Sequence, residues 1–216
     1  MKLDREFIIF DLDGTIADSE EGIINSAIYA LERFGFEYGS REELRKFIGP
    51  PLRDSFIEFC GFDGEKADEA TAVYREYYSV KGLYECRIYE GIPQVLEALK
   101  SAGKKLYLAT SKTEVYAREV LRYFGLTGYF EFAGGAQDKI RTGKSKVLRY
   151  VIEEGGITDL GRAVMIGDRT YDITGAAAMG IDAIGVLYGF GSEEELINSG
   201  AAALAKTPMD LLSILL

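Results

Sequence analysis

The sequence predicts an α/β protein: a doubly wound parallel sheet core with an inserted all-helical cap. Three observations predict it. A short apolar run, Phe7 to Phe10, stops abruptly at Asp11 and Asp13. From Ser19 to about Tyr84 apolar residues recur at three- and four-residue steps, with no convincing strand among them. Beyond that stretch, strand-like and helix-like segments alternate to the end, the pattern of a parallel, Rossmann-like sheet. The expected division is a discontinuous core, 1–16 and 86–216, around a cap at 17–85.

Taken in order, "FIIF" reads as a strand covered on both faces, because a continuous apolar run needs no polar side. Its acids then lie at the strand's carboxyl end, where open α/β sheets bind ligands. Residues i and i+2 of an extended chain point the same way, so Asp11 and Asp13 can address one ligand. Two like charges that close raise one pKa unless a cation or a shared proton intervenes. Singly, Asp13-Gly14 also suits a plain turn and Asp11 a helix cap. Thr15 and Asp18 fit the shaping of that turn and the capping of the next helix.

In the insert, Ile24, Ala27, Ile28, Leu31 and Phe34 mark one helical face. "SREELRKF" opens with a capping box, Ser40 to Glu43. "FIGPPL" is a loop between helices, and an amphipathic run spans Glu65 to Tyr78. Then come "KKLYLAT" with Glu114 to Phe124, "YFEFAG" with Lys144 to Glu154, "RAVMIG" with Tyr171 to Met179, and "IDAIGV" with Glu193 to Asn198. Gly103, Gly125, Gly155 and Gly180 stand where helices should stop.

Composition narrows the chemistry. The 216 residues are 47% hydrophobic and 28% charged, as in ordinary soluble globular chains. A net charge of −10 disfavours nucleic acid and anionic membranes as partners. Two cysteines without metal-type spacing suit a reducing, cytoplasmic setting. No leader-like or membrane-spanning run is evident, so the mature chain is expected to start near Met1. With no histidine, acid-base work falls to carboxylates, Lys, Tyr or Cys.

The other strand ends also carry polar groups. "LYLA" ends in Thr110-Ser111-Lys112, "AVMIG" in Asp168 with Asp172 four residues on, and Lys144 opens a helix. Brought together with Asp11 and Asp13, they describe a magnesium-dependent phosphoryl-transfer site. Mg²⁺ takes oxygen ligands, keeps several waters and needs few carboxylates, and it offsets repulsion between an attacking carboxylate and a phosphate.

These residues resemble the haloacid dehalogenase superfamily, in its phosphoglycolate-phosphatase-like branch with a helical cap. "DLDGT" is similar to the first motif, "LATSK" to the second, the lysine of "TGKSK" to the third and "MIGDRTYD" to the fourth, with "VLYGFGSEEEL" following. The resemblance implies a phosphatase acting on a small phosphorylated metabolite. Asp11 would be the nucleophile that forms an aspartyl phosphate, and Asp13 the acid and then the base. Thr110 would bind the phosphoryl group, with Ser111 beside it, and Lys144 would neutralise its charge. Asp11, the Asp13 carbonyl and Asp168 would hold Mg²⁺, with Asp172 close by. The cap would close over the core and present "FIGPPLR", whose Arg53 is a candidate for the nonreacting end of the substrate; Arg45 and Lys46 are the fallback cations.

Departures and rivals sharpen the expectation. Asp13 points away from dehalogenation, and Ile23 stands where β-phosphoglucomutases carry a cap histidine, so water is the default acceptor and phosphotransfer the alternative. "TGKS" followed by "AVMIGD" also suggests an ATP-binding P-loop, but that motif needs glycine where Asp138 stands. A noncatalytic phosphate or metal binder would need no general acid, which makes Asp13 the discriminating residue. Substrate identity stays open among phosphoglycolate, sugar phosphates, nucleotides and pyrophosphate, as does the choice between monomer and homodimer.

Overall fold

A computed structural model describes residues 2–137 and 140–216. The strands and helices are β1 (Phe7–Phe10), β2 (Ala17–Asp18), α1 (Glu20–Arg33), α2 (Leu52–Cys60), α3 (Gly64–Tyr77), β3 (Arg87–Ile88), α4 (Ile92–Ser101), β4 (Lys105–Thr113), α5 (Glu114–Tyr123), β5 (Phe130–Ala136), α6 (Lys144–Glu154), β6 (Ala163–Gly167), α7 (Thr170–Ala177), β7 (Asp182–Val186), α8 (Glu193–Asn198), β8 (Ala203–Ala205) and α9 (Asp210–Leu215). Contacts group the chain into two compact units, Met1–Ala17 with Ile88–Leu216, and Asp18–Arg87.

The first unit holds a six-stranded sheet in the order β5-β4-β1-β6-β7-β8, every pair parallel. All four residues of β1 are buried, as a doubly covered strand requires. Phe7 and Ile9 join Tyr107, Ala109, Met165, Val147 and Ile173 in a core between the sheet and the helices α6 and α7. Ile8, Phe10, Leu106, Leu108, Val164 and Ile166 alternate with them and are equally buried on the other face. The order places β1 between β4 and β6. Asp11, one residue past β1, therefore lies between Thr110, late in β4, and Asp168, one residue past β6.

The second unit is helical, as its periodicity predicts. Ile24, Ala27 and Leu31 are buried along α1, and Phe34, Phe36, Phe47, Phe56, Phe59 and Phe62 form an aromatic cluster with ring centroids 5.2–6.1 Å apart. "SREELRKF" differs from expectation: Ser40 Oγ accepts from the Glu43 N–H at 3.3 Å, yet the segment is a 3₁₀ helix, Glu42–Phe47. Gly49 at φ +106 and two prolines follow it, and they keep the helix from continuing. Gly103, Gly125 and Gly180 stop their helices at positive φ; after α6 that conformation falls on Gly156 (+67), not Gly155. β8 was not expected, because three residues leave too short a pattern to read. Among the described residues, no helix is long and apolar enough to cross a membrane. Both cysteines are free.

Candidate active site

The acids of "DLDGT" are held by a knot of backbone bonds. The Asp11 N–H donates to Ile166 O at 2.9 Å, which keeps Asp11 in line with the sheet. Leu12 O accepts from the N–H groups of Thr15, Ile16 and Ala17 and turns the chain back on itself. Gly14 takes φ +80, and a methyl there would stand 2.1 Å from Asp168 Oδ2, so only glycine fits on both counts. Thr15 faces the same acid, its Oγ1 lying 3.5 Å from Asp168 Oδ1. Asp18 accepts from Glu20 N and from Arg87, shaping the entry to α1.

Asp11, Asp168 and Asp172 come together at the tips of β1 and β6 and the first turn of α7. One oxygen of each lies within 4.8 Å of the others, and all three residues are buried. Lys144, the first residue of α6, reaches into this triad. Its Nζ donates to Ala109 O at 3.0 Å and stands 2.8 Å from Asp11 Oδ1 and 2.7 Å from Asp172 Oδ1. One ammonium thus bridges two of the three carboxylates.

Three buried carboxylates around one ammonium leave excess negative charge. Burial, only partly countered by Lys144 and reinforced by Asp172 and Asp13, pushes the Asp11 carboxyl up to about 7. Burial and the Asp172 and Asp11 charges raise Asp168 well above the usual carboxylate range. Burial works against the Lys144 ammonium, but Asp11 and Asp172 outweigh it and hold the group cationic. Three buried carboxylates whose oxygens lie this close, with one ammonium among them, suit a hard divalent cation such as Mg²⁺.

Asp13 stands outside the triad. Lys112 Nζ donates to both of its carboxylate oxygens, at 2.6 and 2.8 Å, and the Lys112 side chain is only 6% exposed. Lys112 stands at the strand end in the sequence without an evident role, yet Thr110 and Lys112 share one side of an extended segment, which is the local signal for it. Thr110 is buried, its Oγ1 accepting from Lys112 N at 3.2 Å, and Ser111 is half-buried beside it. A register shift between Thr110 and Thr113 ends the regular pairing of β4 here. Asp172 Oδ2 accepts from Arg169 N, and Glu195 accepts from Thr170 N and Arg169 Nε, so the residues between Asp168 and Asp172 are held from both sides.

Arg53 belongs to the helical unit, where its Nε donates to Asp68 Oδ1 at 2.7 Å and its Nη2 to Gly64 O at 3.2 Å. It ties α2 to the start of α3. A cavity of about 430 Å³ in the same unit is lined by other residues, among them Asp18, Glu20, Arg41 and Arg87. Asp138, the position that argues against a P-loop, lies outside the described residues.

The fold and the acids at its strand tips are those of a Rossmann-like α/β enzyme. The protein belongs to the haloacid dehalogenase-like hydrolases, whose sequence model matches residues 8–186. The chain is 46% identical over 190 residues to a 5'-nucleotidase of Pseudomonas aeruginosa, covering 88% of this chain and 86% of that one. It is 39% identical to the tyrosine-protein kinase PtkA of Mycobacterium tuberculosis, over 86% of this chain but 63% of PtkA. A solved structure of a predicted phosphatase from Clostridium acetobutylicum superposes with a TM-score of 0.94 at 40% identity, covering 98% of each chain. The chain is an enzyme, a phosphoric monoester hydrolase.

Proposed function

We propose that the protein is a Mg²⁺-dependent phosphatase that hydrolyses a small phosphorylated metabolite through an aspartyl phosphate on Asp11. The observation that carries this is the triad Asp11, Asp168 and Asp172, three buried carboxylates gathered around a single buried lysine. Asp11, Asp168 and the Asp13 carbonyl would hold the cation, with Asp172 beside it. Bound there, Mg²⁺ supplies positive charge that lets an anionic phosphate approach a carboxylate.

The chain's own groups then divide the work. Asp11 attacks phosphorus, splitting one difficult displacement into two easier ones. Thr110 and Ser111 donate to the phosphoryl oxygens, and Lys144 balances their charge. Asp13 gives a proton to the leaving oxygen and afterwards takes one from water. Arg53 at the nonreacting end would first release Asp68, which is feasible because the pair is exposed and such pairs contribute at most about 1 kcal/mol. Phosphoglycolate, sugar phosphates, nucleotides and pyrophosphate are the substrate classes to compare.

The similarity to PtkA favours one second reading, in which the phosphoryl group passes from Asp11 to an acceptor other than water. The deciding experiment is a panel of these esters assayed with Mg²⁺, then with excess chelator, with and without an added tyrosine peptide. Release of phosphate that stops on chelation supports the phosphatase. Undiminished turnover in protein verified free of metal would refute the cation's part, and label moving to the peptide in preference to water would favour the kinase-like reading.

A further inference from the structure

The segment Tyr188-Gly189-Phe190-Gly191, between β7 and α8, has no part in the chemistry described so far. It lies in the same unit as the acid triad and touches it at several points. The Phe190 N–H donates to Asp168 Oδ2 at 2.8 Å. A methyl on Gly189 would stand 2.3 Å from Gly14 O and 2.4 Å from Asp168 Cβ, and one on Gly191 would stand 1.9 Å from Asp168 O. Both glycines therefore permit close backbone approach, and neither needs a positive φ. Tyr188 donates its hydroxyl to Thr15 O at 3.1 Å, and its ring meets that of Tyr89 edge-on at 5.0 Å. Tyr89 in turn donates its N–H to Ile16 O at 3.1 Å.

We infer that this loop is a clamp that fixes the rotamer of Asp168 for cation binding. With Oδ2 engaged by the Phe190 N–H, the carboxylate cannot rotate freely, and Oδ1, approached by the Thr15 hydroxyl only at 3.5 Å, is the oxygen turned to the cation. Tyr188 anchors the clamp to the turn that follows Asp13, so the acids of β1 and β6 are set at a fixed spacing through backbone groups. A backbone donor suits this task, because it brings no formal charge to compete with the ion and has no side-chain rotamers to order. Phe190, Gly189 and Tyr188 are positioning residues, none of which touches the cation. The inference rests on the reading of Asp168 as a Mg²⁺ ligand.

The test is calorimetric titration of Mg²⁺ into metal-stripped wild-type protein and into Gly189→Ala, Tyr188→Phe and the control Gly128→Ala, whose added methyl would meet nothing within 4 Å. Gly189→Ala is expected to weaken Mg²⁺ binding by about 10-fold or more, the usual scale for loss of a group that orients a metal ligand. Tyr188→Phe should weaken it less, and Gly128→Ala should leave it unchanged. In ¹⁵N-labelled wild type the Phe190 amide resonance should move as Mg²⁺ is added. Should Gly189→Ala fail to fold, Tyr188→Phe and that amide decide the matter. Wild-type binding with unaltered affinity in the folded variants and a still Phe190 amide would overturn the clamp alone. A wild type that binds no Mg²⁺ would overturn both the clamp and the cation reading beneath it.

Discussion

The two units of the chain hold ion pairs of equal length to opposite ends. At the strand tips Lys144 and Asp172 are 3% and 1% exposed and lie 2.7 Å apart. In the helical unit Arg53 and Asp68 lie at the same distance but are 44% and 51% exposed. Distance alone does not rank the two pairs. Water screens the second, so it contributes little. In the first, burial has removed hydration from every partner, and removing one leaves the others uncompensated. The core thus holds charge in an arrangement that is costly by itself and useful for chemistry, whereas the helical unit rests on its phenylalanine cluster.

The largest break in this contrast should come from Asp11→Asn. Loss of a nucleophile costs turnover on the order of 10⁶-fold in enzymes of comparable logic. Folding should hold or improve, because one of three crowded buried carboxylates is gone; steady-state rates with thermal melting check both halves. Next in size is Asp13→Asn, expected to slow kcat by about 10²–10⁴-fold while Mg²⁺ affinity is kept, since the carbonyl is unchanged. A near-normal rate on a substrate with a poor leaving group would remove Asp13 from its acid-base role.

Lys144→Met tests the buried charge directly. Denaturant unfolding of metal-free protein should show a loss of about 3–5 kcal/mol, and added Mg²⁺ should restore part of it. A loss below about 1 kcal/mol would place this pair with the exposed ones.

The pH dependence of metal-free stability sharpens the same point. Folded Asp11 keeps its proton up to about 7, against an ordinary value of 3.8. The folded state therefore binds more protons than the unfolded one in between, and stability falls as pH rises from about 4 to 7. Asp168 shifts in the same direction. Melting temperature in chelator should fall relative to that in Mg²⁺ across this window, and parallel curves would contradict it.

The smallest effect is expected of Arg53→Ala. Stability should change by less than about 1 kcal/mol. If Arg53 meets a substrate anion, kcat/KM should drop by about 1.5 kcal/mol, or tenfold, on substrates with a remote anion and not on those without. Equal losses on both would leave it as the tie between α2 and α3.

The sequence by itself determined the alternation that builds the parallel sheet, the helical character of the insert, and the residues that line the strand tips. Those features follow from periodicity and from acids placed where apolar runs end, which are local properties. Only the tertiary structure decided which strands are neighbours, and with that which tips meet: β1 between β4 and β6 sets Asp11 beside Thr110 and Asp168. The partner of each charge was beyond reach for the same reason. Lys112 meets Asp13 from 99 positions away, and Phe190 meets Asp168 across 22. Arg53, a candidate for the substrate's nonreacting end by its place in the loop, has Asp68 beside it because two helices pack together. Even "SREELRKF" kept only the Glu43 N–H to Ser40 bond of its predicted capping box, with Arg41 at the N-cap, and tightened to a 3₁₀ turn before the glycine and prolines that follow. Local pattern encodes local conformation, whereas long-range pairing depends on how buried faces fit, and no single segment carries that information.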